Sequence, residues 1–165
     1  MSRLTASVPW ELIPLSPFVD SRGALKKVLQ QSQLGVSIRE AFLLYTLQGA
    51  IRGNHYHCST QEYFFVVQGT ALFALQDPGE YAPRTLELSA QDNLLLKVPP
   101  GVAHAFINKG KGLLIILALS TREYSKEDRI PSPRFSLAKE RECSREAFLL
   151  FILQQGVCLQ GLAPL

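Results

Sequence analysis

Short apolar stretches recur along the chain, each closed by residues that turn the backbone. They cover residues 25–29, 41–47, 63–67, 71–75, 94–98, 103–107 and 113–119, lengths that suit strands better than helices. Between them lie Gln68-Gly69, Asp77-Pro78-Gly79, Asp92-Asn93, Pro99-Pro100-Gly101 and Asn108-Lys109-Gly110. These offer the positive φ, the fixed φ or the side-chain-to-backbone bond that turns require. Many short, evenly spaced strands predict an all-β domain, a sandwich or barrel with room for a pocket lined by alternate inward-facing side chains.

The tail changes character. Residues 136–142 have helix-forming composition with Ser136 in an N-cap position, and a second helix is expected after Ser144. The run at 148–153 is Phe-Leu-Leu-Phe-Ile-Leu, apolar on every side of a helix. It must be buried against the barrel or a second subunit, and a homodimer contact is the reading taken here. The organisation expected is one domain over residues 1–135 and a short helical, apolar C-terminal extension over 136–165.

Composition narrows the function class. A chain of 165 residues is one domain's worth, and 47% apolar with 19% charged residues is an ordinary soluble profile. The excess of 17 basic over 14 acidic residues is too small to mark a nucleic-acid surface. Cys58, Cys143 and Cys158 form no CxxC pair, and no secretory leader is evident, so a disulfide framework is not expected and the cytoplasm is the expected location. The longest strongly apolar run is six residues, far short of the ~20 needed to cross a bilayer as a helix, so no membrane partner is expected.

The chain has only three histidines. His55 and His57 are two apart, so in a strand both project from one face. Glu62 is an odd number of residues from each and cannot share that face unless a turn intervenes, for which Cys58-Ser59-Thr60-Gln61 is suited. His104 follows the turn at Pro99-Pro100-Gly101, which could deliver it to the same pocket. A lone histidine is usually a hydrogen-bonded core or surface residue. Three at these spacings, with Glu62, read as ligands for one divalent ion. The nitrogen and oxygen donors suit Zn²⁺, taken first here, and also Fe²⁺, Mn²⁺ or Ni²⁺.

Both segments resemble the cupin superfamily signatures. The first matches at Gly49, His55, His57, Glu62 and Gly69. The second matches at Pro99, Gly101, His104 and Asn108 and departs at Asn93, where the pattern has glycine. Asparagine tolerates left-handed φ, so the turn is expected to survive. The resemblance implies a double-stranded β-helix, the cupin jelly roll, with the metal inside.

The flanks carry a narrower likeness. Asp20-Ser21-Arg22-Gly23 and Arg52-Gly53-Asn54-His55 are similar to segments of dTDP-4-dehydrorhamnose 3,5-epimerases, and Asn54 with His57 is closer to the metal-binding cupin half of capsular-polysaccharide nucleotide-sugar epimerase/reductases. Ser120-Thr121-Arg122-Glu123-Tyr124 resembles the Ser-x-x-Tyr region of these epimerases and of sugar 3,4-ketoisomerases. The resemblance implies an enzyme that moves a proton beside the ketone of a nucleotide-diphospho-4-keto-6-deoxysugar in polysaccharide or deoxysugar biosynthesis. It implies Arg22 and Arg52 near the substrate phosphates, which guanidinium groups match in paired geometry, and Tyr124 as acid or base.

In metal-free rhamnose-type epimerases the histidine matching His55 is the base and a glutamine matches His57. Here both are histidine and Glu62 is present, so His55 is read as a ligand and the base is left unassigned. Two other classes stay open, a different metal cupin enzyme such as a dioxygenase and a non-catalytic metal- or sugar-binding cupin.

Overall fold

The computed structural model describes residues 9–132. Before the histidine segment come β1 (Glu11–Pro14), β2 (Phe18–Asp20), β3 (Gly23–Leu25), the single helical turn α1 (Gln31–Leu34) and β4 (Glu40–Thr46). There follow β5 (Ile51–His57), β6 (Glu62–Gln68), β7 (Thr70–Gln76), β8 (Arg84–Ser89), β9 (Leu94–Val98), β10 (Ala103–Asn108), β11 (Leu114–Ser120) and β12 (Arg129–Pro131). They form two five-stranded sheets, in the orders β1-β9-β6-β11-β4 and β12-β5-β10-β7-β8, and the separate hairpin β2-β3. Consecutive strands repeatedly land in opposite sheets and every ladder is antiparallel, which makes the domain the expected all-β jelly roll. No helix among the described residues is long and apolar enough to cross a membrane. The extension at 136–165, with its two expected helices, the apolar run at 148–153 and the dimer contact assigned to it, lies outside the described residues.

Strand periodicity decides where the core sits. Phe64 and Val66 of β6 face the interior with Phe73, Leu75, Leu96, Phe106, Leu114 and Ile116, all nearly inaccessible to water. Their odd-numbered neighbours Tyr63 and Phe65 point the other way, yet they too are buried, in a second cluster with Leu95 and Leu119. What covers that outer face is the N-terminal segment, through Ile13, Leu15, Val28, Leu29, Leu34 and Ile38. Here the expected strand at 25–29 is corrected. Only Leu25 belongs to a strand, and the residues after it lie on the sheet as a cover. Apolar content was right about burial and wrong about hydrogen bonding, because a covering segment buries its side chains without joining a ladder.

A local device shapes the end of the sandwich where the histidines lie. In the β5–β10 ladder His104 is opposite His55 but Ala105 is opposite Gly53, so Asn54 is an extra residue. This β-bulge has Gly53 at φ 90° and Asn54 at φ 57°, and the Asn54 carbonyl accepts from Ser132 N at 2.8 Å. A Cβ on residue 53 would stand 2.7 Å from the His104 carbonyl oxygen and 2.9 Å from Ala105 Cα. At the opposite end, just before β9, Asn93 holds φ 53° at the position where the cupin pattern has glycine. The two signature segments are also tied directly, Gly101 N donating to His57 O at 2.7 Å and Gly49 N to Asn108 O at 3.1 Å. Buried Asn108 itself donates to the carbonyls of Thr46 and Gly112.

Gly53→Ala is therefore expected to lower unfolding free energy by about 2 kcal/mol or more, from left-handed strain plus the collision with backbone atoms. Urea denaturation checks it. A variant as stable as the parent would contradict the close approach.

Candidate metal centre

The bulge sets His55 beside His104, with ring centroids 4.6 Å apart, and His57 follows on the same side of β5. All three imidazoles thus come from one sheet. The residues at 58–61 carry the chain across to the other sheet, where Glu62 opens β6 between Val98 and Ser120. One donor atom from each of His55, His57, Glu62 and His104 lies within 4.8 Å of the others. The four residues read from the sequence as ligands are brought together at one end of the core, with the Phe64 ring 5.4 Å from His104.

The cluster packs charge and unpaired polar atoms closely together. Glu62 Oε2 stands 3.0 Å from His104 Nε2 and 3.4 Å from His57 Nε2, but it is buried with no hydrogen bond in suitable geometry, and so is His55 Nδ1. Leaving buried polar atoms unpaired costs about 1–3 kcal/mol each. Burial works against the Glu62 charge, but His104 and His57 beside it outweigh burial and hold the carboxyl well below its ordinary range. Burial, reinforced by His104, pushes His55 down to about 4, so it is neutral at pH 7. Burial opposes protonation of His57 as well, yet Glu62 and Asp128 overcome it and raise that pKa. An ionised carboxylate and imidazole nitrogens with unpaired atoms at their centre fit one divalent cation, which requires deprotonated donors.

The cluster forms the floor of a cavity of about 240 Å³. Its walls include Phe42, Leu44, Phe64 and Phe106, and its mouth includes the exposed residues Arg52, Arg122, Tyr124 and Arg129. Such a volume suits a group the size of one sugar ring, with the rest of a larger ligand outside. Arg52, expected to meet substrate, lines this cavity and also donates from Nη2 to Tyr45 O at 3.0 Å. Tyr124, expected as acid or base, lines it with a side chain open to water. Arg22 is elsewhere. It sits on the β2-β3 hairpin beside a separate shallow pocket, 87% exposed, with Nη2 2.6 Å from Asp20 Oδ2. Within one chain, then, the structure does not bring Arg22 to the histidines.

Sequence reasoning missed Arg122, Arg129, Thr60 and Asp128. Arg129 is opposite His57 in the β12–β5 ladder. Asp128 accepts at Oδ1 from Ser59 N (2.8 Å) and Ser59 Oγ (2.6 Å), and at Oδ2 from Thr60 Oγ1 (2.6 Å), and its Oδ2 lies 3.1 Å from His57 Nδ1. No local spacing signals that contact, which spans 71 positions.

A family model for the polysaccharide biosynthesis C-terminal domain matches residues 18–129, a stretch containing both histidine segments and Asp128. The chain belongs to this family. No curated protein sequence matches it. Among solved structures, this polysaccharide biosynthesis C-terminal domain is similar to a sugar 3,4-ketoisomerase, QdtA, from Thermoanaerobacterium thermosaccharolyticum in complex with TDP. The identity is 20%, the TM-score 0.66, and the match covers 86% of this chain and 96% of that one. It is similar also to a dTDP-4-dehydrorhamnose 3,5-epimerase from Bacillus anthracis with TDP and pyrophosphate bound, at 24% identity and TM-score 0.64, over 76% of this chain and 85% of that one. A third is a dTDP-6-deoxy-D-glucose-3,5-epimerase from Legionella pneumophila in complex with dTDP-4-keto-L-rhamnose, at 19% identity and TM-score 0.67, over 85% of each chain. At these identities the likeness is one of fold, and it agrees with the jelly roll built above.

In this domain His55 and His57 should titrate apart. NMR of the metal-free protein is expected to put the His55 ring near pH 4 and His57 above the ordinary histidine value of about 6.5. The two then act oppositely on stability. The depressed His55 removes stability as pH falls from about 6.5 toward 4, because the unfolded chain binds the proton more readily there. The raised His57 adds stability below about 6.5, and that contribution is lost as pH rises through its folded value. Coincident titration of the two rings near 6.5 would contradict this.

Proposed function

We propose that the domain holds one divalent metal ion through His55, His57, Glu62 and His104 and acts as an epimerase or isomerase on a nucleotide-diphospho-4-keto-6-deoxysugar in polysaccharide or deoxysugar biosynthesis. The observation that carries this reading is the buried, unpaired pair of Glu62 Oε2 and His55 Nδ1 among four converging donors on a cavity floor. Zn²⁺ is the ion proposed, with Fe²⁺, Mn²⁺ and Ni²⁺ as alternatives for the same donors. The names of the similar structures, which are sugar 3,4-ketoisomerases and 3,5-epimerases with TDP or a dTDP-keto sugar, support the substrate class. The apolar run at 148–153 supports a homodimer in the same proposal.

A proton beside a ketone is removed only if the charge developing on the oxygen is stabilised. A bound divalent cation supplies such stabilisation, worth several kcal/mol. The chain's own residues do the rest. Phe42, Leu44, Phe64 and Phe106 exclude water from the sugar ring, which strengthens every charge interaction inside. Arg52, Arg122 and Arg129 at the mouth are placed for the diphosphate that trails from the ring, by charge-assisted bonds from their guanidinium groups. Tyr124, also at the mouth, is the group proposed to hand over or take up the proton.

The test is exchange with solvent. Incubated in D₂O with dTDP- or UDP-4-keto-6-deoxy sugars, the protein is expected to introduce deuterium next to the ketone, to stop after chelation and to resume with added Zn²⁺. A sugar recovered without deuterium would sink the reaction class, and exchange that survives complete removal of metal would sink the metal requirement. His57→Ala is expected to lose most bound metal while the barrel stays folded, as read by metal analysis and circular dichroism; unchanged metal content would refute the ligand set. Tyr124→Phe is expected to slow exchange by about 100-fold or more, and an unaffected rate would remove Tyr124 from the chemistry.

A further inference from the structure

Asp128 lies just ahead of β12 and outside the four donors, and the reaction proposed above makes no use of it. Its bonds nonetheless converge on the segment that joins the two ligand-bearing strands. Ser59 donates to Oδ1 through both its backbone nitrogen and its hydroxyl, and Thr60 Oγ1 donates to Oδ2. Cys58 N donates to the Asp128 carbonyl at 3.0 Å. The remaining partner is His57, whose Nδ1 is 3.1 Å from Oδ2. Three donors from Ser59 and Thr60 aim at the two Asp128 oxygens, the arrangement that suits an ionised carboxylate.

A carboxylate only accepts hydrogen bonds. Its contact with His57 therefore requires the ring proton on Nδ1, which in the neutral ring leaves the lone pair on Nε2. Nε2 is the atom that stands 3.4 Å from Glu62 Oε2, on the side of the cluster. We propose that Asp128 is a positioning residue of the metal centre, fixing His57 in the tautomer and ring orientation that turn its Nε2 lone pair toward the shared ion. The inference rests on the metal reading above and extends it to a residue that touches neither ion nor sugar. Ser59 and Thr60 occupy the other acceptor sites of the carboxylate, so its own orientation is fixed as well. A carboxylate behind an imidazole also makes the ring a stronger donor to metal. His104 differs in this respect, since its Nδ1 faces only the neutral Val102 carbonyl, at 3.3 Å.

Two measurements on the whole chain test the proposal. The first is titration of metal-free protein with Co²⁺ alone, followed by visible absorption, for the parent, Asp128→Asn and Ser59→Ala. Asparagine can turn its amide N–H toward Nδ1 and so favour the tautomer with the proton on Nε2. Asp128→Asn is expected to weaken Co²⁺ binding about 10–100-fold. Ser59→Ala loosens the turn but keeps the His57 contact, and is expected to bind like the parent. The second is the long-range ¹H–¹⁵N spectrum of the metal-free proteins at alkaline pH, where the imidazoles are neutral. It is expected to show His57 protonated on Nδ1 in the parent and on Nε2 in Asp128→Asn.

Equal Co²⁺ affinity in Asp128→Asn would overturn the proposal, as would a parent His57 protonated on Nε2. A loss of affinity as large in Ser59→Ala as in Asp128→Asn would reduce Asp128 to a tether for the turn and overturn it too. Should Asp128→Asn fail to fold, the parent spectrum decides alone. A parent that binds no Co²⁺ would sink the metal reading, and the spectra would still tell whether Asp128 orients His57.

Discussion

The site depends on one carboxylate, Glu62, held inside the sandwich against three imidazoles that belong to the opposite sheet. Burying a charge is costly unless it is paired, and its Oε2 has imidazole nitrogens at 3.0 and 3.4 Å but no hydrogen bond. His57 and His104 keep it ionised against burial, yet the oxygen still lacks a well-formed hydrogen bond. A cation at that point would satisfy Glu62 and the unpaired His55 nitrogen together, and would couple the two sheets through their shared ligands. In the metal-free protein, burial, reinforced by His104, lowers the His55 pKa, while Glu62 and Asp128 raise that of His57 against burial.

Everything around the cluster serves to keep those four groups convergent. The bulge at Asn54 lets β5 and β10 approach until a side chain at Gly53 would no longer fit. The turn after His57 changes sheet, and Asp128 binds two of its residues and the histidine that precedes it. Below lies the aromatic part of the core, Phe64, Phe73 and Phe106, with ring centroids 5.4 to 6.4 Å apart. That spacing lies within the range of favourable aromatic pairs, so the cluster rests on closely packed aromatic side chains. The mouth is different in kind, made of exposed arginines and a tyrosine on strand ends and the loop before β12, the kind of surface loop that carries binding groups in many folds.

How much of this was legible in the sequence follows from the range of each interaction. His55, His57 and Glu62 could be grouped because strand alternation and a turn are local rules, and His104 because a proline-glycine turn precedes it. Asn93 could be trusted in a glycine position because left-handed φ is a property of the residue itself, and φ 53° is what it adopts. Arg22 could not be located, since the motif around it says nothing about where the β2-β3 hairpin lies relative to the cavity. The segment after Leu25 has strand-like composition but packs as a cover over Tyr63 and Phe65, a distinction made only by its tertiary neighbours. Asp128 was invisible for the same reason, as its partner His57 is 71 positions away.

The most direct measurement is X-ray absorption at the metal edge of the purified protein. The account predicts one bound divalent ion whose inner shell holds three imidazole nitrogens and a carboxylate oxygen, at about 2.0–2.2 Å if the ion is zinc, with the imidazole scattering reduced in a His104→Ala variant. An ion-free protein that refuses added metal, or a shell without imidazole scattering, would contradict it.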